Sequence, residues 1–158
     1  TVRKSKSGIV VKGIHDLAVR FSKCCNPVPG DEIVGFVTRG RGVSIHRTDC
    51  INMINLPEDE RGRLIDAEWQ MAEGATNNEQ YSTEIKIFAN NRIGMFADIS
   101  KVFTEKQIDI TSMNVRTSKQ GKATIIMTFD IHGTEELNRI TDKIRQIEGV
   151  LDIQRTTG

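Results

Sequence analysis

The chain is short of several things. It has one Trp, one Tyr and only three Pro among 158 residues. So few large aromatics leave little with which to build a base-stacking platform for single-stranded nucleic acid. No apolar run approaches the ~20 residues that a membrane-spanning helix requires, and no secretory leader is visible. There is almost no charge imbalance, with a net charge of +1 and 27% charged residues. This excludes both a strongly basic nucleic-acid coat and an acidic disordered tail. Cysteine is also scarce, at three. An odd, small number argues against a disulfide framework and for a reducing compartment, here expected to be the cytoplasm. The chain begins with Thr1 rather than Met, as expected of a piece of a longer protein.

All three cysteines lie in two short segments, Cys24-Cys25-Asn26-Pro27-Val28-Pro29-Gly30-Asp31 and His46-Arg47-Thr48-Asp49-Cys50. Between them, Ile33 to Thr38 and Val43 to His46 read as strands joined by the glycine turn Arg39-Gly40-Arg41-Gly42. A hairpin there returns His46 and Cys50 to the neighbourhood of Cys24 and Cys25. Three thiols and one imidazole are the donor set of a closed structural zinc site. The adjacent pair Cys24-Cys25 is not a standard zinc spacing, and residues adjacent in a strand face opposite ways, so a bend is required. Asn26-Pro27 and Pro29-Gly30 can supply it. Two other readings stay open: buried small residues, or a thiol site built from Cys50, His46 and Asp49. Thr48 is expected to cap a helix running from Asp49 to Leu56, with its N-terminus lowering the Cys50 pKa. A module of about 60 residues buries little core and gains from a metal staple.

Around the cysteines stand Arg20, Lys23, Arg39, Arg41 and Arg47. Such cations can offset the negative charge of a three-thiolate zinc site. They can equally contact phosphates, for which the tip Arg39-Gly40-Arg41-Gly42 is best placed.

The domain boundaries read as a module over 1–70, a polar linker over 71–80 and a second module over 81–158. Gly8 to Ile14, Leu17 to Phe21 and Arg63 to Trp69 complete the strands of the first, with a charged loop at Glu58 to Arg63. The second alternates and repeats regularly: a strand over Tyr81–Ala89, a helix over Met95–Gln107, strands over Ile108–Thr117 and Lys122–Ile131, a helix capped by Thr134, and a strand over Val150–Gln154. The first helix has the stripe Ile93, Phe96, Ile99, Val102 and Phe103; the second has Leu137, Ile140, Ile144 and Ile147. The order βαββαβ is ferredoxin-like. The fold class is therefore α+β: a small zinc-stapled hairpin-and-helix module, then a βαββαβ domain. In that domain Asn90, Asn91, Arg92, Ile93, Gly94 and Met95 form the turn into the first helix, where a carboxylate ligand can sit. An ordinary turn is the plainer reading. An RRM-like role is disfavoured because Phe129 is the only aromatic on the strands taken as central, Ile110–Arg116 and Ala123–Phe129, and it is in register with core residues.

The cysteine segment, the stretch Gly35-Phe36-Val37-Thr38-Arg39-Gly40-Arg41-Gly42-Val43 and His46-Arg47-Thr48-Asp49-Cys50 together resemble the C-terminal region of long Rel/SpoT (p)ppGpp synthetase/hydrolases. Asn91-Arg92-Ile93-Gly94 resembles the ligand loop of the ACT domain that ends those proteins. The resemblance implies a zinc-finger module liganded by Cys24, Cys25, His46 and Cys50, and an ACT domain that in some relatives takes branched-chain amino acids or pairs with another ACT domain. It further implies a regulatory tail that docks on ribosomal RNA with uncharged tRNA and restrains the enzyme's own catalytic domains. The catalytic motifs of that family are absent, so this region itself is expected to make and degrade no (p)ppGpp. The alternative is a zinc-stapled ACT sensor of another metabolic enzyme with no RNA role.

Overall fold

The computed structural model describes residues 9–11, 18–40, 42–69 and 79–157. The lead-in at 1–7, Arg41 and most of the expected linker (71–78) lie outside them. The chain divides into two compact units between Glu79 and Gln80.

The first unit holds two small sheets. One pairs β1 (Ile9–Val11) antiparallel with β6 (Ala67–Trp69). The other has the order β2-β4-β3-β5 and is built on the hairpin of β3 (Ile33–Thr38) and β4 (Gly42–Arg47). Strand β2 (Val19–Phe21) runs parallel to β4, and β5 (Leu64–Ile65) pairs antiparallel with β3. Alternation along the hairpin sorts its residues. Val43 and Ile45 enter an apolar cluster with Ile9 and Ala67, against which Val37, Phe21 and Trp69 pack. The intervening positions turn the other way, and there Val34 and Phe36 pack against Cys25, Cys50 and Met53. Gly42 closes the turn with φ +88°, and a Cβ there would stand 2.1 Å from the Ala18 carbonyl oxygen.

Three local expectations change. Glu58–Arg63 is a 3-10 helix rather than a loop, with acids in its first turn and arginines in its last. The expected single strand over Arg63–Trp69 breaks at Asp66 into β5 and β6. Thr48 caps nothing. The helix α1 is only Ile51–Ile54, and Cys50 occupies its N-cap position with no side-chain cap bond. Thr48 instead gives its N–H to the Glu32 carbonyl, and a tight turn closes from the Cys50 N–H to the Arg47 carbonyl.

The second unit is a four-stranded antiparallel sheet of order β10-β7-β9-β8, formed by β7 (Tyr81–Asn90), β8 (Ile110–Thr117), β9 (Lys122–Ile131) and β10 (Val150–Arg155). The helices are α2 (Met95–Glu105) and α3 (Thr134–Arg145). Strands β7 and β9 alternate strictly between buried and open positions. Ile85, Ile87, Ile125, Met127 and Phe129 form the buried side, and Phe103 of α2 meets Phe129 edge-on at 4.9 Å between ring centroids. The ferredoxin-like expectation holds.

Within it, the central strands are β7 and β9, and β8 is an edge, contrary to the expectation that Ile110–Arg116 is central. The α2 stripe begins at Met95, fully buried, whereas Ile93 is fully exposed because it lies in the turn before the helix starts. Thr134 is the first helical residue of α3, and Gly133 takes the cap position without a side-chain bond. Helix α2 ends in a Schellman arrangement: Gln107 has φ 56°, and the Ile108 N–H reaches back to the Phe103 carbonyl.

Candidate metal centre

The vicinal cysteines reach one point because they sit on a turn, not a strand. The Asn26 N–H bonds to the Ser22 carbonyl at 3.0 Å, closing a turn over residues 23–25. Asn26 then takes φ 48°, a conformation that Asn tolerates. The bend therefore falls on the cysteines themselves, just before the prolines. On β4, His46 lies one residue from Ile45 and so faces away from the apolar cluster, with Ser44 beside it at the two-residue strand period.

The result is a compact donor set. The sulfurs of Cys24, Cys25 and Cys50 and a ring nitrogen of His46 all lie within 4.8 Å of one another. The Cys24 sulfur is 3.4 Å from that of Cys50, 4.0 Å from that of Cys25 and 3.3 Å from His46 Nδ1. Ligands at zinc–sulfur and zinc–nitrogen distances would stand about 3.5–3.8 Å apart around a tetrahedron, so the observed spacings fit one small divalent ion. No other cluster of three or more His, Cys, Asp or Glu of this kind occurs among the described residues.

The surroundings complete the fit. His46 Nε2 lies 3.0 Å from Ser44 Oγ, which in turn donates to the Phe36 carbonyl at 3.5 Å. An Nε2–H donated to Ser44 leaves the Nδ1 lone pair aimed at the sulfurs. The backbone N–H of Arg47 donates to the Cys25 sulfur at 3.3 Å, and Ser22 Oγ lies 2.8 Å from the Cys24 sulfur.

Burial pushes the Cys25 and Cys50 thiols up, and close neighbouring sulfurs add to this. For Cys24, burial is outweighed by bonds from Ser22 and Asn52, which hold its thiol below the ordinary value. His46 is lowered by burial and is therefore neutral at pH 7. A pocket that resists several bare thiolates while presenting a neutral imidazole suits a dication, which takes up the negative charge. The expected lowering at Cys50 does not occur, because a four-residue helix offers little dipole against this burial.

The basic residues separate into two groups. Arg20, Lys23 and Arg39 are exposed, and Arg39 at the hairpin tip has a side chain 79% accessible, with Glu60 as a distant partner at 3.8 Å. Arg47 does not belong with them. It is buried, donates to the Cys25 carbonyl at 3.3 Å and pairs with Asp49. Ser22, Ser44 and Asn52 support the cluster and escaped sequence reasoning. The i, i+2 spacings Ser22–Cys24 and Ser44–His46 were the available signal.

In the second unit the expected ligand loop is already bonded. Arg92 Nε donates to the Glu148 carbonyl at 2.8 Å, and its terminal nitrogens reach the Ile93 carbonyl at 3.1 Å and Asp98 Oδ2 at 2.8 Å. Asn90 Oδ1 accepts from Lys122 Nζ at 2.5 Å, and the Asn90 and Asn91 N–H groups are taken by the Gly149 and Gly121 carbonyls. Gly94 has φ +83°, and Met95 is in the core.

Site and fold thus define a metal-cluster module followed by a ferredoxin-like domain. Comparison with known proteins gives that pairing a family. The RelA/SpoT RIS domain matches residues 9–70 and the ACT domain matches residues 77–155. A GTP pyrophosphokinase of Streptomyces coelicolor is 37% identical over 95% of this chain, and one of Escherichia coli is 36% identical over 98%. The chain spans 17% and 20% of the length of these two relatives. The ACT domain of a Chlorobium tepidum GTP pyrophosphokinase, a solved structure, is 23% identical over 49% of this chain and 99% of its own, with a TM-score of 0.44. The chain belongs to the RelA/SpoT family and is a C-terminal region of such a protein. Among the described residues no helix is long and apolar enough to cross a membrane.

Proposed function

We propose that this chain docks a stringent-response GTP pyrophosphokinase, in the cytoplasm, onto ribosomes carrying uncharged tRNA, and from there controls that enzyme's catalytic domains. The region itself makes and degrades no (p)ppGpp. Its Cys24, Cys25, His46 and Cys50 hold one structural zinc, which would fix the hairpin and so the position of its tip. The observation that carries this reading is the pairing of a closed donor set with the exposed cation Arg39 on the same hairpin. Phosphate contacts of that kind position a protein on RNA without reading sequence.

The test is salt-dependent co-sedimentation of the chain with ribosomes. Arg39→Glu is expected to weaken binding and to lower the salt slope by about one ion; an unchanged slope and affinity defeats the docking role of the tip. Elemental analysis should find one zinc per chain, and a Cys25→Ser variant with full zinc content defeats the ligand assignment. A branched-chain amino acid at Asn90–Met95 would have to displace bonds that Arg92 already makes. Calorimetry with valine, leucine and isoleucine decides this, and absence of heat leaves pairing of two ACT domains as the better account of that module.

A further inference from the structure

Access to the donor cluster is uneven. Cys25 and Cys50 are 1% and 0% exposed and His46 is 8% exposed, whereas Cys24 is only partly buried. A solute that reaches the cluster therefore meets the Cys24 sulfur first. That sulfur has the Ser22 hydroxyl beside it at 2.8 Å and the Cys50 sulfur in contact at 3.4 Å. The third sulfur is less available to it, because Cys25 Sγ is 4.0 Å away and takes the Arg47 N–H at 3.3 Å. A cysteine that ligates a metal does so as thiolate, which is also the nucleophilic form of the side chain. An accessible thiolate with a second sulfur touching it is the arrangement of a cysteine that oxidises reversibly, the second sulfur acting as the resolving group.

We infer that Cys24 is a site of reversible oxidation by hydroperoxides, with Cys50 as its resolving partner, and that the Cys24–Cys50 disulfide so formed expels the metal. Cys24 Sγ attacks one peroxide oxygen, the O–O bond breaks, and the other oxygen leaves as water or an alcohol after taking a proton from solvent. Solvent protonates the resulting Cys24 sulfenate. The Cys50 thiolate then attacks the Cys24 sulfur, the S–O bond breaks, hydroxide leaves and the disulfide forms. Two thiolates have given up two electrons, the peroxide has taken both, and the zinc ion is neither oxidised nor reduced. Cys25 and His46 remain, two donors where a closed site needs four. The new bond joins the same two segments that the metal joined, so oxidation exchanges a metal staple for a covalent one. In a reducing compartment such a bond is transient and suits sensing. The inference rests on the zinc reading above and adds to it a state from which the metal has gone.

The experiment takes the 158-residue chain, assays its zinc, and exposes it to hydrogen peroxide beside a chromogenic zinc chelator, with a peroxide-free control. Each chain should release its zinc as one equivalent of peroxide is consumed. Alkylation and peptide mapping should then find Cys24 joined to Cys50 within one chain, with Cys25 as the remaining free thiol. A phosphine reductant with added zinc should restore the metal. Cys24→His keeps four donors and removes the accessible thiol, so its zinc should leave about tenfold or more slowly under the same peroxide. Should that variant fail to load zinc, limiting N-ethylmaleimide on the unaltered chain decides, and it should label Cys24 before Cys25 and Cys50. Zinc retained under excess peroxide overturns the inference and leaves the zinc site standing. So does a disulfide through Cys25, a disulfide only between chains, equal zinc loss from a loaded Cys24→His variant, or first labelling at Cys25 or Cys50. A chain that carries no zinc from the outset overturns both readings.

Discussion

Removing the metal should unfold the first unit and spare the second, and the chain carries its own reporters for this. Trp69, the single tryptophan, lies in the first unit. It stacks on Phe21 at 5.6 Å with the rings 12° from parallel, and its indole N–H donates to the Asp31 carbonyl at 3.0 Å. The turn that ends at Asp31 begins just after the cysteine pair, so disorder at the cluster reaches the indole directly. If free zinc stands a thousandfold above its dissociation constant, binding adds about 4 kcal/mol to the folded state. For domains of this size each kcal/mol moves the midpoint by about 4–8 °C, so chelation should lower the Trp69 emission transition by about 15–30 °C or abolish its folded baseline. Far-UV circular dichroism should retain a second transition at its original temperature, because the described part of the ACT unit holds no comparable donor cluster. A Trp69 transition that stays within a few degrees after verified metal removal would refute the idea that the cluster is a structural metal site.

Three further outcomes follow from particular residues. Thr83 is fully buried and its hydroxyl has no hydrogen-bond partner, so Thr83→Val should raise the stability of the second unit by about 1–2 kcal/mol, read as a higher midpoint in calorimetry. Gly42→Ala places a Cβ 2.1 Å from the Ala18 carbonyl at φ +88°; it should cost well over the ~2 kcal/mol of a left-handed alanine alone, and should lower both the Trp69 transition and zinc content. The pH dependence has a definite sign. Burial holds His46 below its ordinary 6.5, so the unfolded chain takes up the proton first and stability falls as pH drops through about 6.5. Protons competing with metal for the thiolates act in the same direction. The Trp69 transition should therefore be lower at about pH 5.5 than at neutrality, and an opposite trend would count against a neutral, buried His46.

Much of this architecture was legible because periodicity carries it. The βαββαβ unit shows through alternation at Tyr81–Asn90 and Lys122–Ile131 and through the stripes of α2 and α3, where burial dictates residue type. The four donors were legible because a hairpin is local, and local pairing returns its ends to the start. What escaped depends on short-range bonding that leaves no period. Thr48 has a capping side chain, but its N–H is taken by Glu32 and the helix starts later. Arg47 looks like a surface cation by type, yet it points inward to the Cys25 carbonyl. Ile93 fits the helical stripe by spacing and is exposed because the helix has not begun there. Strand order is a long-range property: whether Ile110–Thr117 is central or an edge depends on where β10 docks, and nothing in the local sequence records that.

The Arg92 clamp has a consequence for how this ACT module can respond to metabolites. In a domain whose loop closes on a free ligand, the closed fraction follows ligand concentration. Here the closing group is covalently part of the loop it closes, and it bridges to the carbonyl of Glu148 just before β10. A tethered group acts at an effective concentration in the millimolar range or above, so a dilute solute competes only by binding the loop correspondingly more tightly than Arg92 does. If valine, leucine and isoleucine give no heat, the loop is a fixed corner of the domain rather than a gauge; heat would mean that a ligand displaces the Arg92 bonds.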